Sequence, residues 1–311
     1  MNNHIEEGLS REGALEFESL GRENGIPGAG EWHLEGITPS LREVFKDLYG
    51  GKRVRFFDNT QPLAEGSPHN LNQIEAALQL ISWMVREEGR LFHVDSCMGA
   101  GTSSLLAHLT DVFKGQSEAL QHIKGAEQYG RNEIVTHALG GSHSTGVQTD
   151  IFTDTQGLFN LLQEVGKDKK LVVVDETQFT KGGEDVGFWG EVKAWAEQTD
   201  RWVVVGQLNL MYTGEPWDVT KAIVRMADAG VVVAARGIGA GLPGWMTRRE
   251  VRLKDGRIRP DSLEAEKEIV GDVHSEEKDH IYNPVHYLDF NVCTEAEARA
   301  FDASDLQVFE R

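Results

Sequence analysis

Cysteine is nearly absent from this chain: among 311 residues, only Cys97 and Cys293 carry a thiol. So few cysteines exclude a disulfide scaffold and suit a reducing, cytoplasmic setting. No apolar run approaches the roughly 20 residues that cross a bilayer. The opening Met1-Asn2-Asn3-His4-Ile5-Glu6-Glu7 has no secretion-signal character. Positive charge is also scarce, with 31 Lys and Arg against 50 Asp and Glu, a net charge of -19. Duplex nucleic acid and anionic membrane are therefore poor partners, while a local basic pocket for a small anion stays open. No internal repeat is present.

What the chain does have is length and a hydrophobic fraction of 40%, enough for one large core or two modest ones. Residues 1–68 are polar, glycine-rich and weakly periodic, broken at Gly25-Ile26-Pro27-Gly28. A short helix over 40–49 and a strand over 53–57 are expected there, with no visible chemistry. The spacing of Ile74, Leu78, Ile81, Trp83 and Val85 predicts a helix over 71–88. Strands are expected at 91–95, 133–137, 171–175, 202–206 and 230–235, alternating with helices. Leu171-Val172-Val173-Val174 and Trp202-Val203-Val204-Val205 are continuous apolar runs, as in strands covered on both faces. That pattern predicts an α/β fold on a parallel sheet. Residues 236–311 are glycine-rich, then charged, then mixed, and the Glu-rich stretches at 264–268 and 275–279 are solvated surface.

Two segments carry chemistry. In "DSCMGAGTSS", residues 95–104, a glycine-rich turn leaves a strand and opens a helix. A phosphate loop needs converging backbone N–H groups, a helix N-terminus, a lysine for phosphate charge and a hydroxyl for Mg²⁺. Gly99 and Gly101 supply curvature, and Ser103 and Ser104 supply hydroxyls. Ser96 stands at the first glycine position and Thr102 at the lysine position. A plain strand–helix turn is the alternative. In "LVVVDETQF", residues 171–179, Asp175 and Glu176 follow a buried strand. There one carboxylate can hold metal-bound water and the other can accept a proton from an attacking hydroxyl. A helix-capping acid is the alternative.

"DETQF" is similar to the "DEaQF" segment of type II thymidine kinases, and five further stretches agree in order. These are "SCMGAGTS", "IKGAEQYGRNEIVTH", "VVVGQLNLMYTGEPW", "GWMTRR" and "IVGDVHSEEKDHIYNPVHY", so the resemblance spans about residues 90–290. It implies a P-loop (RecA-like) parallel sheet with helices on both faces over 89–235 and a lid or lasso subdomain over 236–290. An extension over 1–88 and a tail over 291–311 flank them. It also implies ATP- and Mg²⁺-dependent phosphoryl transfer to the 5′-hydroxyl of a deoxynucleoside, a cytoplasmic location and a homo-oligomer, commonly a tetramer. A nucleotide-binding protein without catalysis is the other reading.

Carried over by position, Glu176 is the general base, and Ser103 and Asp175 serve the Mg²⁺ side through water. Ser96, Met98, Gly99, Ala100, Gly101, Thr102, Ser103 and Ser104 line the phosphates. Arg131 and Arg249 supply phosphate charge. Met98, Phe179, Leu208, Tyr212 and Thr247 surround the base, and Tyr282 closes the pocket. Lys181 and Lys114 are candidate replacements for the missing lysine.

The chain departs from the family at several of these positions. The family's loop aspartate is Asn209 here. Its four zinc cysteines fall on Gly237, Ala240, His286 and Asp289. Without those ligands no zinc is expected, and the lid is expected to be held by packing.

Overall fold

The computed structural model describes residues 14–16, 41–58, 71–122, 133–138, 141–237, 243–263, 278–285 and 293–303. Fifteen strands and seven α-helices are described. The central sheet contains β1 (Ala14–Glu16), β2 (Val54–Phe57), β3 (Leu91–Ser96), β4 (Ser117–His122), β7 (Asp150–Phe152), β8 (Leu171–Asp175), β9 (Trp202–Leu208) and β10 (Ala229–Val233). Its order is β1-β2-β10-β3-β9-β8-β4-β7. Every pairing is parallel except that of β1 with β2. The hairpin strands β5 (Glu133–Ala138) and β6 (Gly141–Gln148) form a separate antiparallel pair.

Burial on both faces explains the apolar strands. Val173 and Val204 pack toward α2 (Leu71–Val85) and α3 (Thr102–Val112). Val172, Val174, Val203 and Val205 pack the other way, toward α4 (Thr155–Glu164), α5 (Val186–Gln198) and α6 (Asp218–Met226). On that second face α1 (Leu41–Tyr49) covers β2 and β10 through Val44, Phe45, Leu48 and Tyr49. The result is three layers, helix–sheet–helix, as expected of an α/β core. Among the described residues, no helix is long and apolar enough to cross a membrane.

The strand expectations need adjustment. The strand over 133–137 exists but lies in the β5–β6 hairpin, outside the central sheet. Its place there is taken by β4 and β7, which the hydrophobic pattern did not mark. In the N-terminal part, β2 pairs directly with β10 and extends the same sheet.

Helix α2 ends at Val85, and of the five residues that carry its periodicity only Trp83 lies on its buried face. Ile74, Leu78 and Ile81 are half-buried and Val85 is exposed. The buried face holds Ala76, Ala77, Leu80, Trp83 and Met84, together with Asn72, Gln73, Glu75 and Gln79. Those polar side chains tolerate burial because they find partners. Asn72 Nδ2 donates to Ala234 O (2.9 Å), and Gln79 Oε1 accepts from Arg55 Nη1.

The third part of the chain is built on short antiparallel pairs. Here β11 (Ala235–Arg236) meets β12 (Pro243–Gly244). In the same region β13 (Met246–Leu253) lies between β14 (Ile258–Pro260) and β15 (Lys278–Val285). The last helix, α7 (Glu295–Ala303), joins this unit through Asp302, which accepts from Arg259 Nε (2.7 Å).

Candidate functional site

The loop leaves the C-terminal end of β3, the edge at which open parallel sheets bind ligands. Ala100 N donates to Cys97 O (3.3 Å), which tightens the turn. Gly99 and Gly101 have φ of 78° and 85°, a left-handed conformation that costs glycine nothing. Gly101 is the N-cap of α3 and offers no capping side chain. The first-turn amides of Thr102, Ser103 and Ser104 therefore stand at the positive end of the helix dipole without a side-chain cap. Two other loop amides are committed within the chain, that of Ala100 to Cys97 O and that of Met98 to Thr247 Oγ1 (2.9 Å). The amides of Gly99 and of Gly101 to Ser104 are the candidates for binding an anion.

No ammonium group enters at position 102. Thr102 Oγ1 hydrogen-bonds with Ser96 Oγ, so the hydroxyl points back across the base of the loop. Lys114 lies past the far end of α3, about 18 Å along the helix axis from the loop, and does not replace the lysine. Lys181 is exposed, and its main chain is tied to the turn before α4, through Lys181 N to Thr153 O (3.3 Å). Arg131 lies outside the described residues.

The second chemical segment meets the loop through a missing side chain. A Cβ on Gly206 of β9 would stand 2.9 Å from Thr102 Cγ2 and 3.2 Å from Asp175 Oδ1. Glycine at 206 thus lets the end of β8 approach α3. Asp175 is buried, and its Oδ1 accepts from Glu176 N (3.0 Å). A buried carboxylate and the half-buried Ser103 at the helix start are hard oxygen donors, a set that fits Mg²⁺ held through water.

Glu176 itself adopts φ 58°, strained for a residue with a side chain. Gln178 holds it there: Nε2 donates to Glu176 Oε2 (2.6 Å), and Oε1 accepts from Leu208 N (3.2 Å). Burial pushes the Glu176 carboxyl above the usual carboxylate range, and the Gln178 bond offsets part of that rise.

The residues expected around the base divide into two groups. Met98 and Thr247 meet through the 2.9 Å bond above, and Pro284 sits 3.7 Å from where a Cβ on Gly99 would be. Phe179 packs edge-on to Trp217 (5.4 Å) beside Glu176, with Leu208 half-buried nearby. Tyr212 contacts the unit built on β13–β15. Its hydroxyl donates to Ser262 O (2.9 Å), and its ring lies 3.6 Å from the Arg249 guanidinium carbon. Arg249 is fully buried and gives Nε to Asp261 Oδ2 (2.7 Å). Tyr282 is its cross-strand neighbour on β15. Arg249 is thus buried within the β13–β15 unit, with its charge matched by Asp261.

Asp261 is the centre of that unit. It also meets His280 Nδ1 (3.3 Å), and its Oδ1 accepts from Ser262 N (2.9 Å). Burial pushes its carboxyl up, but the donors from His280, Arg249 and Ser262 outweigh that and leave it below the usual range. Buried charge pairing, in addition to apolar packing, holds this unit. Among the described residues, no group of three or more His, Cys, Asp or Glu could hold a metal. Of the four zinc positions, Ala240, His286 and Asp289 lie outside the described residues.

Two contacts came from segments without visible chemistry. Tyr49 of α1 donates its hydroxyl to Asp95 Oδ2 (2.8 Å), directly under the loop. Gln207 Nε2 and His93 Nδ1 reach Asp95 Oδ1 at 2.9 and 3.1 Å, so the buried aspartate is met from three sides. Gln73 Nε2 of α2 donates to Ala100 O of the loop (3.2 Å). The only advance sign was an aspartate between an apolar strand and a glycine turn.

Cys97 ties the loop to the lid, donating Sγ–H to Gly244 O (3.0 Å). Burial pushes its thiol up to about 12. In the native protein Cys97 is expected to resist a thiol-directed disulfide reagent at neutral pH, while the half-buried Cys293 reacts slowly. Two equally fast labelling phases, counted by absorbance, would contradict that placement.

A family model described as thymidine kinase matches residues 89–237. The match begins beside β3, includes both chemical segments and stops before β12. Among solved structures, the Thermotoga maritima RuvB Holliday junction branch migration motor is 9% identical over 52% of this chain, with a TM-score of 0.32. Domain III of the Thermotoga maritima replication initiation protein DnaA is 12% identical over 55%, with a TM-score of 0.30. The Pif1 helicase from Candida albicans is 12% identical over 52%, with a TM-score of 0.29. The chain spans 44%, 66% and 39% of those three chains, less than two thirds of each. No curated protein sequence matches it.

Proposed function

We propose that this chain, whose residues 89–237 match a family model described as thymidine kinase, transfers a phosphoryl group from ATP to the 5′-hydroxyl of a deoxynucleoside. The observation that carries the reading is Glu176. It is a carboxylate held by Gln178 at the ligand-binding edge of the sheet, with its pKa raised toward the working range of a general base. In this role Glu176 takes the hydroxyl proton. The amides of Gly99 and of Gly101 to Ser104 hold the phosphates, and Ser103 with Asp175 holds Mg²⁺ through water. When bound, Mg²⁺ supplies charge neutralisation between the phosphates. Met98, Phe179, Leu208 and Thr247 form the wall toward the base.

A second reading, nucleotide binding without catalysis, is favoured by one observation: the Thr102 hydroxyl is directed to Ser96, and the loop brings no cation of its own. Incubation with labelled ATP, Mg²⁺ and a panel of deoxynucleosides separates the two. Labelled monophosphate supports transfer. Its absence, together with saturable ATP binding, supports the second reading.

A further inference from the structure

The phosphate loop and Glu176 leave strands that do not touch. β3 carries the loop, β8 carries the acidic pair, and β9 lies between them. The β8–β9 ladder ends at the pair Val174 and Val205, two residues before Glu176. Main-chain pairing with β9 therefore does not hold the turn over 176–178. Yet Glu176 keeps a φ of 58°, a strained conformation that persists only where its surroundings enforce it. Side chains at the end of β9 supply the restraint. Thr177 Oγ1 lies 3.2 Å from Gly206 O and 3.3 Å from Gln207 Oε1, and Gln178 Oε1 accepts from Leu208 N at 3.2 Å.

Gln207 extends that restraint to the loop. It is buried and stands directly opposite Asp95 across the β3–β9 ladder. Its Nε2 donates to Asp95 Oδ1 (2.9 Å), which leaves Oε1 to accept from Thr177. Asp95 immediately precedes Ser96, the first position of the loop, and Tyr49 donates to its other oxygen. Thr177 is also fully buried. A hydrogen-bonded path sheltered from water thus runs from the root of the loop to the residue after Glu176, and such paths are stiff.

We infer that Gln207 and Thr177 are positioning residues for phosphoryl transfer, through which the root of the phosphate loop sets where the Glu176 carboxylate stands. This rests on the transfer reading above. As the 5′-oxygen bonds to the γ-phosphorus and the bond to the ADP oxygen breaks, the hydroxyl proton passes to Glu176. Loop and carboxylate must therefore keep one fixed separation. The strand between them is the element that can carry this constraint. Glutamine suits position 207 because one end of its amide donates to a carboxylate while the other accepts from a hydroxyl.

The test compares kcat for labelled-phosphate transfer to the best-accepted deoxynucleoside with the Kd of Mg-ATP, read by calorimetry. The proteins are the full chain and its variants Gln207→Leu, Thr177→Val and Thr177→Ser. The leucine and valine variants are expected to lower kcat at least about tenfold while the Kd changes less than about twofold. Thr177→Ser keeps the hydroxyl and should recover most of the rate. Undiminished kcat in either Gln207→Leu or Thr177→Val overturns the inference. So does a loss of ATP affinity in step with kcat, or a serine variant as slow as the valine one, since either marks the pair as a structural brace only. No transfer by the unaltered chain overturns the transfer reading itself, and the inference with it.

Discussion

Replacing Glu176 with glutamine is expected to lower kcat for labelled-phosphate transfer by at least about 100-fold, since a positioned general base contributes roughly 10²–10⁴. The substitution changes little else. Glutamine has the same shape and the same cost at φ 58°, and its carbonyl oxygen can still accept from Gln178 Nε2. What it loses is the ability to take a proton, so the nucleoside KM should change far less than kcat. The pH profile gives an independent check. A base must be ionised to act, and burial raises the Glu176 carboxyl above its ordinary value. Activity should therefore fall on the acid side at a higher pH than for an ordinary glutamate, and the glutamine variant should lack that acid limb. Undiminished turnover in Glu176→Gln would remove it from the chemistry.

The largest stability effect is expected in the lid. Asp261→Ala should destabilise the fold by about 3–5 kcal/mol, because it leaves Arg249 buried without its counter-charge. Arg249 has no exposed side-chain surface, and its ion pair with Asp261 is 2.7 Å long. Its position against the Tyr212 ring gives attraction but does not replace a carboxylate. The Asp261 carboxyl is held below the usual range, so its contribution is fully present above the unfolded value of about 3.9 and is lost as pH falls through the lowered folded value. Urea denaturation at neutral pH measures the effect. A loss under about 1 kcal/mol would show that Arg249 finds another partner or water.

The parts of this architecture that were legible in the sequence share one physical property. Strands β3, β8, β9 and β10 lie in the middle of the sheet, covered on both faces, and sidedness cannot interrupt their apolar runs. By contrast, β7 is the edge strand and β4 lies next to it, and β4 reads Ser-Glu-Ala-Leu-Gln-His, with no apolar run to mark it. The strand over 133–137 was visible as a strand, but its partner depends on chain path, which periodicity does not encode.

Helix α2 shows the same limit in another form. Spacing revealed a helix, but its buried face was set by partners for Asn72, Gln73 and Gln79 that lie far away in sequence. At the site, the loop and the Asp175-Glu176 pair were readable because each is a local motif on its own strand. Tyr49 beneath Asp95 and Gln73 on Ala100 were not, because contacts between distant segments leave no local signature. The resemblance made Arg249 a candidate for phosphate charge. Its partner Asp261 became evident only when β13 and β14 paired and brought Asp261 N to Arg249 O at 2.9 Å.

The whole functional account depends on the turn between β3 and α3 holding phosphate with main-chain amides and no ammonium group. Isothermal titration of ATP, ADP and dTTP with Mg²⁺ into the unaltered protein tests this most directly. The account predicts saturable binding of at least one of them, abolished by Gly101→Val, which would drive a branched side chain into Gln73 at a left-handed position. No saturation at millimolar concentrations of all three would contradict it.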